Sequence, residues 1–222
     1  MDRYELFYHP IPFRGHFIRY VLAQAGQGWI EPSHDEVIAL VRKDVAIQPV
    51  PAMAPPVLHD RKSGLWLPQM PAIVMHLGRE HGLSRDADLE LRLLCDASDI
   101  LFEITRWHGA LMWDAPAWAE FTGARLPRWM RLHEALLPPE AAEPVLGDLI
   151  LAALWHTMVD RLPGLRTCLA RTAPGLHTRI DAVAATPKVA AMLAHWHGRR
   201  PLYCAGQIEA SIMEMLGEGH DT

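Results

Sequence analysis

The run Tyr4-Glu5-Leu6-Phe7-Tyr8 is short, aromatic and strand-like, and His9-Pro10-Ile11-Pro12 breaks it. From Arg14 to Ala25, Phe17, Ile18, Val21, Leu22 and Ala25 recur at helical spacing, and Gly26 stops the helix. Trp29 to Glu31 reads as a short second strand and Asp35 to Lys43 as a short helix. Pro49, Pro51, Pro55 and Pro56 mark a loop that enters a strand at Val57-Leu58-His59. Asp60 to Gly64 turns the chain, and Leu65-Trp66-Leu67 returns as the other half of a hairpin. Met70 to Glu80 is helical again, ended by Gly82.

Beyond Gly82 the strand signals vanish. A long amphipathic helix begins near Asp88, with Leu89, Leu93, Ala97, Ile100, Ile104 and Trp107 along one stripe. A second helix is predicted from about Trp118 to Leu136, and a third, very apolar, from Asp148 to Asp160. Shorter ones follow at 165–172, 176–185 and 189–196. The pattern predicts two domains. Residues 1–82 form an α/β unit of order β-α-β-α-β-β-α, Leu83 to Ala87 is a linker, and residues 88–222 are all helix.

Composition narrows the function classes. Lys and Arg number 21 against 26 Asp and Glu, so no basic excess exists to release counterions from nucleic acid. The longest unbroken apolar stretch, Leu149 to Trp155, is far short of the roughly 20 residues that span a bilayer. The start Met-Asp-Arg-Tyr-Glu has no basic-then-apolar pattern, which predicts no secretory signal and a cytoplasmic protein. Cys95, Cys168 and Cys204 are odd in number and widely spaced, as expected of reduced, buried, cytosolic thiols. His195-x-His197, the pair His76 and His81, and His133-Glu134 all lack metal-site spacing, so no metal is expected. No phosphate-binding glycine loop and no nucleophile elbow is present.

An 80-residue unit of that order, with proline at the entry to its third strand, points to a thioredoxin-like fold in which Pro56 is the candidate cis-proline. Four segments then resemble the cytosolic glutathione S-transferase family over nearly the whole chain. They are Tyr4-Glu-Leu-Phe-Tyr-His-Pro with Arg14-Gly15 and Ile18-Arg19; Ala54-Pro-Pro-Val-Leu58; Leu67-Pro-Gln-Met-Pro-Ala-Ile-Val-Met-His-Leu-Gly-Arg-Glu-His-Gly-Leu83; and Asp160-Arg-Leu-Pro-Gly-Leu165 with Pro187-Lys-Val and Arg200-Pro201. The first segment is similar to the opening of the tyrosine-type classes, alpha, sigma and related bacterial proteins. The resemblance implies a thioredoxin-like domain followed by an all-helical one, glutathione as co-substrate, a small hydrophobic electrophile and a homodimer. Fold alone does not fix function.

The resemblance places the catalytic tyrosine at Tyr8, whose hydroxyl would donate to the glutathione sulfur; a strand aromatic bonded to backbone is the other reading. His16 stands where the alpha class carries an arginine near the sulfur, and a protonated imidazole there would help hold a thiolate. Arg14 reads equally as a structural tie between domains. No cysteine or serine lies in Ile11-Pro12-Phe13-Arg14, which disfavours a protein-thiol or serine-type mechanism. The resemblance carries glutathione binding onto Pro55, Gln69 and Met70, with Lys43 (or Arg42) for the glycyl carboxylate and Asp99 (or Asp96) reaching the amine of the partner subunit's glutathione. Phe13, Trp107, His108 and Met112 would line the electrophile pocket, although tryptophan and methionine at helical spacing also suit a core.

Three departures stand out. Where the family has Ser or Thr after Gln69, this chain has Met70, and a missing hydrogen bond to a charged group costs about 1.5–3 kcal/mol. Pro55 has no N–H to offer the cysteinyl backbone of glutathione. The Ser/Thr-x-x-Asp cap of the family's central helix is missing near 151–154, and Asp148 is the substitute cap. These departures keep a second reading open, a catalytically inactive binding or protein-interaction module on the same fold.

Overall fold

At the amino end, alternation becomes a ladder. Tyr4 and Leu6 of β1 (Tyr4–Phe7) are fully buried, while Glu5 and Phe7 face the other side. The computed structural model describes residues 2–197 and 202–217. β1 pairs in parallel with β2 (Trp29–Ile30) and antiparallel with β3 (Val57–Asp60), which pairs antiparallel with β4 (Leu65–Pro68). The sheet order is β2-β1-β3-β4. α1 (Phe13–Gln24) makes the crossover between the parallel strands, as a parallel pair requires. α2 (His34–Arg42) starts at a capping box, in which the Ser33 hydroxyl accepts from Glu36 N–H and the Glu36 carboxylate accepts from Ser33 N–H at 2.9 Å. α3 (Met70–Glu80) follows the hairpin. The Pro55–Pro56 bond is cis, as the sequence predicts. The unit is thioredoxin-like, and the rest of the described chain is helical.

α4 (Ala87–Ile104) begins at Asp86, whose carboxylate accepts Leu89 N–H at 3.1 Å. Its buried stripe ends at Ile104, earlier than the pattern predicts. Arg106, Trp107 and His108 take φ values of 43, 60 and 57°, a left-handed turn that ends the helix. Trp107 therefore leaves the stripe and is 51% exposed. The next helix starts earlier than predicted, as Ala115–Glu120, and continues through wide turns at Phe121–Arg125 into Leu126–Ala135. The apolar central helix likewise starts at Leu146 and runs through wide turns at Ala152–His156 to Arg161. Asp148 caps it from inside, accepting Val145 N–H at 3.1 Å and Arg179 Nη1 at 2.8 Å. The three later helices fall at Arg166–Thr172, Pro174–Ala184 and Pro187–His197. A further helix, Gly206–Met215, has no counterpart in the sequence pattern. Arg200 and Pro201 of the fourth segment lie outside the described residues.

The two domains share one core. Leu146 N–H donates to Leu83 O at 2.9 Å. The Tyr20 hydroxyl meets His156 Nδ1 at 3.1 Å, and Lys188 Nζ donates to Gln24 O at 3.1 Å. A Cβ on Gly78 would overlap Leu146 Cδ2, so only glycine allows α3 to sit this close to the central helix. Among the described residues, no helix is long and apolar enough to cross a membrane.

Candidate functional site

Register gathers the first part of the site. Phe7 pairs with Val57 and Val57 with Pro68, so the neighbouring residues Tyr8, Pro56 and Gln69 all lie beyond the same edge of the sheet. Gln69 N–H donates to Pro56 O at 3.1 Å, which ties the start of α3 to the cis-proline loop. Gln69 has φ +76°, a left-handed conformation that a non-glycine residue adopts at a cost of roughly 1–3 kcal/mol. Its side chain is exposed, whereas Met70 is buried in the core at 1% exposure.

Tyr8 lies one residue beyond the β1 ladder and is 4% exposed. Its hydroxyl oxygen accepts the backbone N–H of Arg14 at 3.1 Å. A phenol that accepts this way keeps its own proton to give elsewhere. Burial pushes the Tyr8 pKa up to about 12, partly offset by the positive charges of Arg14 and Arg19. At neutral pH the group is therefore a neutral donor. Gly15 makes the arrangement possible, since a Cβ there would overlap the Tyr8 ring and stand 2.6 Å from Arg19 Nη1.

The Arg14 guanidinium forms no ion pair among the described residues, and burial lowers its pKa. Its Cζ lies 5.9 Å from the Phe13 ring centroid. Burial, and after it the positive charge of Arg14, holds the His108 pKa below the usual imidazole value. Phe13 meets the edge of Tyr203 with ring centroids 5.6 Å apart. Tyr203 is 1% exposed, and its hydroxyl has no hydrogen-bond partner among the described residues. The sequence gives no signal for Tyr203, because it precedes the unpredicted helix Gly206–Met215. Glu209 of that helix holds it in place by accepting Tyr203 N–H at 2.8 Å and Cys204 N–H at 2.7 Å.

His16 lies elsewhere, and this corrects the expectation of a protonated group at the sulfur. It is 1% exposed, its Nδ1 lies 3.1 Å from Arg19 Nη1, and its ring meets Trp196 at 5.5 Å. Burial, reinforced by Arg19 and Arg161, holds its pKa well below the usual imidazole value, so it is neutral. Because the Arg19 guanidinium can only donate, Nδ1 accepts and the imidazole proton sits on Nε2.

The other candidates scatter. Lys43 and Asp99 are exposed, as are Arg42, the alternative to Lys43, and Met112. Trp107 leaves the Tyr8 cluster and lines a separate cavity of about 320 Å³ with Arg106, Trp113 and Phe121. A larger groove of about 980 Å³ runs between Gly28–His34 and the helix Pro187–His197, with Tyr8 and Pro10 in its wall. None of Pro55, Gln69 and Met70 lines it, so chemistry and cavity size point to different places. We locate the site by its chemistry, at the sheet edge. Among the described residues, no group of three or more His, Cys, Asp or Glu could hold a metal ion.

A family model, the glutathione S-transferase C-terminal domain, matches residues 89–215, more than half of the chain. The chain belongs to the glutathione S-transferase family. Among solved structures, it is similar to a Pi-class glutathione S-transferase of Onchocerca volvulus. The TM-score is 0.74 at 16% identity, covering 93% of this chain and 99% of that one. It is also similar to Ure2p5 of Phanerochaete chrysosporium, cocrystallised with 1-(S-glutathionyl)-2,4-dinitrobenzene. That TM-score is 0.67 at 16% identity, covering 89% and 96% of the two chains. Ure2p in complex with S-hexylglutathione gives a TM-score of 0.66 at 18% identity, covering 86% and 98%. At these identities the likeness to solved structures is one of fold. No curated protein matches the chain.

Proposed function

We propose that this family member is a tyrosine-type enzyme that activates the thiol of glutathione for attack on a small hydrophobic electrophile. The observation that carries the reading is Tyr8, whose oxygen is occupied by Arg14 N–H while its proton has no acceptor among the described residues. The thiolate is the nucleophile, and a thiol of pKa about 8.5 is only about 3% ionised at pH 7. Lowering that pKa by about two units requires about 2.7 kcal/mol of preference for the charged form. One hydrogen bond to a charged group supplies about 1.5–3 kcal/mol. The Arg14 guanidinium, which has no carboxylate partner among the described residues, adds attraction for the same anion.

In this reading the peptide backbone of glutathione lies along the cis-proline loop. Pro55 offers its carbonyl, Gln69 its side chain, and Met70 the free N–H of a helix start. Sulfur ends at the Tyr8 hydroxyl. The electrophile then approaches from the side of Phe13 and His108. The protein works in the cytoplasm as a homodimer, and the exposed apolar residues Val45, Ile47 and Met53 offer surface for a second copy. An inactive binding module is the second reading, and the losses at Pro55 and Met70 favour it.

Calorimetric titration of reduced glutathione, followed by pH titration of the bound thiol through its ultraviolet absorbance, tests the proposal. Binding at micromolar to low millimolar affinity is expected. The thiol midpoint should lie one to two pH units (about 1.4–2.7 kcal/mol) lower in the natural protein than in Tyr8→Phe. No heat up to several millimolar glutathione, or an unchanged midpoint in Tyr8→Phe, would sink it.

A further inference from the structure

The turn that ends α4 holds Arg106, Trp107 and His108 in successive left-handed conformations, with φ values of 43, 60 and 57°. Non-glycine residues keep that conformation only where the surroundings over-determine it, and such strain gathers at ligand clamps and switch segments. Trp113 fixes the far end of the turn. Its Nε1 donates to Ile104 O at 2.9 Å, and its backbone N–H donates to the Ser211 hydroxyl at 2.8 Å. The cavity of about 320 Å³ that adjoins the turn is walled by Trp107, Trp113 and Phe121. Ligand pockets span roughly 300–1,000 Å³, so this one takes a single ring system. Trp113 and Phe121 pack on each other with centroids 5.0 Å apart. Trp107 is 51% exposed and meets no other ring among the described residues.

Two arginines and two glutamates line the same cavity, and they divide into a satisfied pair and an unsatisfied one. Arg125 donates to Glu103 through Nε and Nη2, and Trp129 Nε1 donates to the same carboxylate at 3.1 Å. The half-buried Arg106 guanidinium lies 4.7 Å from the Trp113 ring centroid and forms no hydrogen bond or ion pair among the described residues. The exposed Glu120 carboxylate also forms none among them. An aromatic anion would satisfy Arg106 but bring its charge to a cavity that holds an unpaired carboxylate. An aromatic amine would satisfy Glu120 and meet the unpaired guanidinium. A molecule with both charges on one short stem satisfies both, and its ring fills the aromatic space. We infer that this cavity binds an aromatic α-amino acid in its zwitterionic form, with the ring between Trp107 and Phe121, the carboxylate on Arg106 and the ammonium on Glu120. The site is separate from the Tyr8 cluster and does not depend on the transferase reading. Binding here buries the exposed indole of Trp107 and forms no covalent bond.

Calorimetric titration of L-phenylalanine into the full-length protein tests the inference, with phenethylamine and 3-phenylpropionate as probes that each lack one charge. One phenylalanine per chain should bind, with Kd below about 1 mM. Phenethylamine should bind at least about 10-fold more weakly, since it forfeits a hydrogen bond to the half-buried Arg106. 3-Phenylpropionate should lose about 2- to 5-fold, because Glu120 is exposed and screened by solvent. The variants should erase these preferences one at a time. Arg106→Gln should reduce phenylalanine to the affinity of phenethylamine, and Glu120→Gln should reduce it to that of 3-phenylpropionate. Trp107→Ala alters an exposed side chain and should weaken all three ligands by about 10-fold or more. Unchanged urea midpoints in the variants would place these losses in binding and not in folding. No saturable heat with phenylalanine, equal affinity for the three ligands, or full phenylalanine affinity in Trp107→Ala overturns the assignment.

Discussion

Arg19 is the residue on which the geometry of the Tyr8 loop depends, and removing its guanidinium should show this in stability. The side chain is 0% exposed. Its Nε and Nη2 donate to the two Glu31 carboxylate oxygens at 2.8 and 2.7 Å, a bidentate pair. Nη1 donates to Ile11 O at 2.8 Å and meets His16 Nδ1 at 3.1 Å, and Cζ stacks 3.8 Å from the Trp196 ring centroid. Arg19→Met keeps much of the volume and removes all of these bonds. Breaking one side of a buried ion pair costs about 3–5 kcal/mol, because the remaining charge is stranded. For a chain of this size each kcal/mol shifts Tm by roughly 2–4 °C, which gives a fall of roughly 6–20 °C. Urea unfolding measures the free energy directly. Adding Glu31→Leu to Arg19→Met should recover part of the loss, since the stranded carboxylate is then gone. A loss under about 1 kcal/mol for Arg19→Met, or strictly additive losses in the double variant, would refute the reasoning.

Two further outcomes follow from the same neighbourhood. Gly15→Ala drives a methyl into the Tyr8 ring and against Arg19 Nη1, so it should cost about 1–3 kcal/mol in urea melts, and an unchanged midpoint would show the ring has room to move. His16 is held neutral, with its pKa below the ordinary value of about 6.5. The unfolded chain therefore binds a proton that the folded chain refuses, and stability falls as pH drops below about 6.5, by up to about 1.4 kcal/mol per pH unit. His16→Gln should flatten that slope between pH 6.5 and 5, and an equally steep slope in the variant assigns the acid sensitivity to another group.

Elements carried by local pattern were legible in the sequence; features set by three-dimensional contact were not. The strands, α1 to α3 and the cis-proline follow from alternation, helical spacing and proline placement. Helical spacing continues one turn past Ile104 and so puts Trp107 on the stripe, while the backbone turns left-handed at Arg106. His16 sits beside Arg14 in sequence, but a step along α1 turns it to the opposite side of the helix, under Trp196. Tyr203 gave no signal, since its place depends on Glu209, Ser211 and Phe13, none of which forms a motif with it. Asp148 is the substitute cap, as the sequence predicts, but it caps from within the first turn and so moves the helix start to Leu146.

The two departures from the family pattern have different physical origins. Pro55 loses an N–H to the ligand while keeping the loop shape, for its carbonyl stays available and Pro56 O still accepts Gln69 N–H. Met70 exchanges a hydroxyl for core packing, since its side chain is 1% exposed among the apolar residues under the sheet. Pro71 has no N–H, so the start of α3 offers only the free N–H groups of Met70 and Ala72 to an anion. A carboxylate there would be bound by backbone and helix dipole alone. The Met70 loss, worth about 1.5–3 kcal/mol against a charged carboxylate, and the Pro55 loss, worth about 0.5–1.5 kcal/mol against a neutral amide, would leave little affinity if the site relied on the peptide end of glutathione. The sulfur end must then supply more of the binding, and there Tyr8 stands beside Arg14, which forms no ion pair among the described residues. Under the transferase reading, this balance predicts a site that grips the thiolate more tightly than the thiol, so affinity for glutathione should rise with pH until the thiol is ionised.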